Sequence, residues 1–138
     1  MEPEALQGIN SEVRALGAQI VVLTPKLERY TRALHKKLNL TFDMLTDLHL
    51  KTAEQFRLVF TLPDYLRDLY KSFGNALDRL HDEPEYRLPI PARFVVDKQG
   101  IIRAADVNAD YTIRLKPSET LRQLRMLTGS LAALNLRA

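Results

Sequence analysis

The side chains in this 138-residue chain that could carry acid–base or metal chemistry are three histidines and a scatter of aspartates. His35, His49 and His81 fall on three separate segments with no partner four residues away, so no helix-borne pair of imidazoles is offered to a metal. Asp43, Asp47, Asp97, Asp106 and Asp110 stand at strand ends and in loops, where turn and cap chemistry suits them and acid–base work by a carboxylate pair is the alternative. Arg93, near the start of an apolar strand, suits a side chain that reaches solvent or pairs with a carboxylate, or else the anchoring of an anion or substrate. Cysteine does not occur, which removes disulfides, thiolate catalysis and cysteine-ligated zinc at once, because each needs the sulfur itself. The five glycines form no phosphate-cradling loop. The residues thus point to no catalytic group, no metal and no cofactor.

Lys26, Arg29, Arg32, Lys36 and Lys37 make one basic stretch. It reads as a solvated helix face with cations near the helix C-terminus, or else as a phosphate or nucleic-acid patch. The formal charge of +3, from 20 basic and 17 acidic residues, is too slight an excess to indicate nucleic acid, which is not the expected partner.

The elements that must position these groups follow from periodicity. Leu6, Ile9, Val13 and Leu16 recur at helical intervals up to Gly17, which predicts an amphipathic helix. Gln19 to Leu23 is an apolar run of the kind buried on both faces of a parallel sheet. Thr24 followed by Pro25 suggests the cap and first position of a second helix running to Leu38. A short strand is expected over Leu40 to Leu45 and a short helix over Leu50 to Phe56. A further helix is expected from Leu62 to Phe73, with a charged loop after it from Asn75 to Arg87. Phe94 to Val96, the turn Asp97-Lys98-Gln99-Gly100 and the apolar run after it read as a hairpin. Arg93, Val95 and Asp97 then share one face and Phe94 and Val96 the other. Pro91 enters the first strand and is the candidate for a structural cis bond. Ser118 is expected to cap a last helix that carries Leu121, Leu124 and Leu127 and ends at Gly129. The alternation of strands and helices predicts a single α/β domain over residues 1–138, a mixed sheet flanked by helices.

The pattern Pro-x-x-Phe-Val-hydrophobic-Asp-x-x-Gly-x-hydrophobic, met from Pro91 to Ile102, resembles the closing half of the thioredoxin fold. More narrowly it resembles the peroxiredoxin-like redoxins of the alkyl hydroperoxide reductase/thiol-specific antioxidant family. Ala5-Leu6-Gln7, the strand before Thr24-Pro25, the segment Leu40 to Asp47, and Asp110-Tyr111 with Pro117-Ser118-Glu119 agree with it in order. Arg93 departs from the family's small residue or threonine, and Arg57 stands where the family tends to place glycine. The resemblance implies thiol-dependent peroxide or disulfide chemistry on a cysteine in a loop after a central strand. Both would precede Met1, so the resemblance implies an incomplete thioredoxin-like fold that lacks that strand.

Without the strand, two apolar sheet edges stand open, at Gln19 to Leu23 and at Arg93 to Asp97. A homodimer through those edges is the expected assembly. A binding module for another protein and a nucleic-acid binder are the alternatives. No apolar run spans a bilayer and no secretory leader is visible, so a cytoplasmic protein is expected, with no membrane association.

Overall fold

The computed structural model describes the backbone of residues 3–72, 87–108 and 116–137, and side chains within these ranges except 70–72 and 129–137. The elements are α1 (Pro3–Ala15), β1 (Val21–Thr24), α2 (Glu28–Lys37), β2 (Asp43–Thr46), a 3-10 turn (Leu48–Leu50), α3 (Lys51–Gln55), β3 (Val59–Thr61), α4 (Asp64–Ser72), β4 (Arg87–Pro89), β5 (Ala92–Val96), β6 (Ile102–Val107) and α5 (Pro117–Arg137). They form two compact units, one of Met1–Ile20, Leu40–Phe42 and Ala92–Ala138, the other of Val21–Asn39 and Asp43–Pro91.

In the first unit α1 and α5 pack together beside the antiparallel pair β5–β6. Its core holds Val13, Leu40, Phe42, Val95 and Leu121, all buried. Thr41 fastens the short middle segment to α1. Its backbone N–H donates to Gln7 Oε1 at 2.8 Å, its hydroxyl accepts from Asn10 Nδ2 at 2.6 Å, and its carbonyl accepts from Arg14 at 2.8 Å. Arg125 reaches Glu12 across the two helices at 3.1 Å.

In the second unit β1 and β2 run parallel, with Val21 opposite Asp43 and Thr24 opposite Thr46, and β3 pairs antiparallel with β4. Among the described residues, Leu50, Ala53 and Leu62 are its buried apolar side chains. Val21, Leu23 and Leu45 remain about half exposed. The run from Gln19 is therefore not buried on both faces as expected: Val21 and Leu23, two apart on the strand, share its exposed face.

Thr24 does not cap α2. It stays in β1, its carbonyl accepting the Asp47 amide at 2.8 Å, and α2 starts at Glu28 after Leu27 with no side-chain cap. The helix expected from Leu62 begins at Asp64, since Thr61 belongs to β3; Phe73 lies outside the described residues. The last helix begins at Pro117, so Ser118 lies inside it rather than capping it, and it does not stop at Gly129 but continues to Arg137. A glycine inside a helix costs about 1 kcal/mol relative to alanine, too little to end a helix by itself.

Helix ends explain several backbone choices. At the end of α1 the Ala18 amide donates to Val13 and the Gly17 amide to Arg14, with Gly17 at φ +77°. The end of α3 repeats this arrangement: Leu58 donates to Ala53 and Arg57 to Glu54, with Arg57 at φ +58°. A non-glycine residue in this left-handed cap is strained through its Cβ. Replacing it with glycine (Arg57→Gly) is expected to raise stability by about 0.5–1 kcal/mol, read as a higher urea midpoint at unchanged slope.

Candidate functional site

Arg93 lies on β5, on the face turned toward α5. Its terminal nitrogens donate to Asp106 on β6 and to Thr120 on α5, and at 2.9 Å to Gln123 Oε1, one helical turn further along. The guanidinium is mostly buried while Asp106 is 40% exposed, so one partner of the pair stays hydrated. Nε of Arg93 is buried with no hydrogen-bond partner. The side chain thus ties the hairpin to α5 through Thr120 and Gln123 and is itself held to β6 by Asp106.

Asp106 faces Arg93 because β6 carries one extra residue. Ala92 to Val95 pair with Val107 to Ala104 in turn, whereas Val96 pairs with Ile102, leaving Arg103 as a bulge. Without the bulge, Ala105 would oppose Arg93, since a slip of one residue exchanges the faces of a strand. The bulge also aims Arg103 at the turn. There its Nε donates to Asp97 Oδ2 at 2.7 Å, while Asp97 Oδ1 accepts the amides of Gln99 and Ile101, each at 2.9 Å. Gly100 closes the turn at φ +81°.

The amide of Ile101, foremost, then the guanidinium of Arg103 and the amide of Gln99, hold the Asp97 carboxyl below the usual aspartate range, against the opposing effect of desolvation. A carboxyl depressed in the folded state stabilises above its unfolded pKa of about 4 and loses that contribution as pH falls through the lower folded value. Asp97→Asn is therefore expected to lower the unfolding midpoint at neutral pH, and the gap to the parent protein should close as pH drops below about 4. On α5, Arg122 holds the Glu119 carboxyl low, and Glu119 in turn raises the Arg122 guanidinium.

A cavity of about 290 Å³ lies on this face. Val95, Ala104 and Leu127 give it apolar walls and Arg103, Arg122 and Gln123 polar ones. Both arginines are already engaged by carboxylates, Asp97 and Glu119. The cavity therefore presents a largely neutral, amphipathic surface.

The other sequence candidates stay dispersed. The Ile90–Pro91 bond is trans, as are all the described peptide bonds. The cis bond expected at Pro91 is not formed, since the residues on either side continue as the extended strands β4 and β5, a connection the ordinary trans bond makes without strain. His35 and Asp43 line a shallow cavity of about 190 Å³ with Glu28, Thr31, Arg32 and Met44. His49 is in the 3-10 turn at φ +56°. His81 and Asp110 lie outside the described residues. Among the described residues, no three histidine or acidic side chains converge as a metal site. Asp47 is buried and caps the start of α3, its two oxygens accepting the amides of Thr52 and Ala53 at 2.8 and 2.9 Å. Thr120 and Gln123 were not legible as Arg93 partners, because helix spacing shows which residues share a face but not which strand that face meets.

Among the described residues, no helix is long and apolar enough to cross a membrane. No curated protein matches the chain. The profile of the AhpC/TSA family matches residues 1–105. With its mixture of helices and small sheets, its parallel strand pair and its closing hairpin and helix, the chain belongs to the AhpC/TSA family and has an α/β, thioredoxin-like fold.

Proposed function

We propose that this chain acts as a non-catalytic redoxin-type module that associates with a second copy of itself through its open sheet surfaces. Sulfenic-acid chemistry needs a thiolate, and the 138 residues contain no cysteine. The observation that carries the reading is the outward surface of β5–β6. There Ala92 faces Val107, Phe94 faces Ala105 and Val96 faces Ile102, so all six positions are apolar. Val96, Ile102 and Val107 are about half exposed. An antiparallel sheet with one free face ordinarily places polar residues on it. Apolar exposure beside a strand edge favours association.

Size-exclusion chromatography with light scattering is expected to give a dimer for the parent chain. Val96→Lys combined with Val107→Lys, which places two charges on the exposed face, is expected to give a folded monomer. A parent chain that stays monomeric at tens of micromolar, well folded by circular dichroism, would refute self-association. Peroxide consumption with a dithiol reductant is expected to equal that of the protein-free blank.

A further inference from the structure

The second unit carries a cationic face on α2 and the residue Lys26 before it. Between Lys26 and Lys37 the chain has five basic residues and one acidic, a formal +4 against a net +3 for the whole chain, so all other residues together carry −1. The structure sharpens this imbalance. Arg87, Arg93, Arg103, Arg122 and Arg125 each rest on a carboxylate, and on α2 Arg32 is paired with Glu28. Lys26, Arg29, Lys36 and Lys37 are exposed and have no carboxylate partner among the described residues. Arg29, Arg32 and Lys36 follow at i, i+3 and i+7, which puts them on one stripe with Lys37 beside it. Arg29 is set in place by the Tyr30 ring, 4.8 Å below its guanidinium carbon, and by a hydrogen bond to the Tyr30 hydroxyl at 3.2 Å.

We propose that this face of α2 binds the phosphate backbone of nucleic acid without reading its sequence. From Arg29 to Lys36 the helix rises about 10 Å, over which a duplex presents about six phosphates on its two strands. Several cations on one rigid stripe can therefore each displace a counterion at once. An anionic membrane is the poorer match, since no large apolar side chain between Lys26 and Lys37 is exposed to enter the lipid interface. Arg29 lies over the Tyr30 ring, Arg32 is engaged by Glu28, and the two lysines act as point charges, a set suited to neutralising phosphates.

The test is fluorescence anisotropy with a labelled duplex DNA of about 25 base pairs and arbitrary sequence, titrated between about 50 and 200 mM salt. Four cations predict a logarithmic salt slope between about −3 and −4, a loss of roughly 100-fold in affinity across that range. Arg29→Glu, Lys36→Glu and Lys37→Glu together should weaken binding at low salt at least about tenfold and flatten the slope to about −1. These side chains make no carboxylate contact, so the fold should persist by circular dichroism; the Gln triple variant (R29Q/K36Q/K37Q) is the second, charge-neutral check. No binding near 100 µM protein at low salt would overturn the proposal. So would binding that both triple variants retain in full, or capture by phosphatidylserine vesicles with none by DNA.

Discussion

Arg93→Leu is expected to lower the unfolding free energy by about 2 kcal/mol, measured by urea denaturation. The substitution removes the charge-assisted bond to Asp106 and those to Thr120 and Gln123, and Thr120 is buried. Two features keep the loss below that for a fully buried pair. Asp106 is 40% exposed and rehydrates, and the orphaned Nε vanishes with the arginine. Lysine should recover less than half, because a single ammonium cannot serve three acceptors on two elements as a planar fork does. The same variants separate a clamp from an anion anchor. If Arg93 held an anion, inorganic phosphate would raise the parent's stability with concentration and leave Arg93→Leu unmoved. The expected result is that phosphate moves the two alike. An unfolding free energy unchanged in Arg93→Leu would remove the clamp.

Leu50→Ala should have the larger effect, about 3 kcal/mol. Leu50 is 1% exposed and is the largest of the fully buried side chains. It is held there at φ +58°, directly after His49 at φ +56°. Two successive left-handed residues cost about 1–2 kcal/mol each. What opposes that cost is the burial of Leu50, its amide bond to the Asp47 carbonyl at 3.1 Å and the capping of α3 by the Asp47 carboxylate. Leu50→Gly supplies the control. In an ordinary helix glycine is about 1 kcal/mol worse than alanine, but at a left-handed position it relieves strain. The glycine variant is therefore expected to be no less stable than the alanine variant. A glycine variant clearly less stable than the alanine one would show that the left-handed turn carries no strain.

The chain's family was legible in its sequence because its marks are local. Gly17 ending α1, the Asp97 to Gly100 turn between two apolar runs, and the apolar period of α2 all express short-range preferences of a few residues. Arg57, noted as standing where glycine is usual, indeed occupies the left-handed end of α3. Capping was less legible. Thr24 has the chemistry of an N-cap, yet the parallel ladder to β2 holds it in a strand, a competition that local propensity cannot express. Gly129 has the look of a stop, but α5 runs past it.

By itself the sequence determined what chemistry this chain can supply, since a redoxin scaffold without a cysteine has no thiolate however it folds. It also determined the order of most of its elements, but not β3 and β4, two three-residue strands that show no period of their own and of which Arg87 reads as part of a loop. Only the tertiary structure decided which groups meet. A single extra residue at Arg103 sets Asp106 rather than Ala105 opposite Arg93, and ion pairs engage Arg87, Arg93, Arg103, Arg122 and Arg125 while Arg29 on α2 has no carboxylate partner among the described residues. The reason is physical. Helix and turn preferences are set by neighbours within about four residues, whereas strand register and charge pairing depend on contacts between distant segments, where a shift of one residue reverses every face.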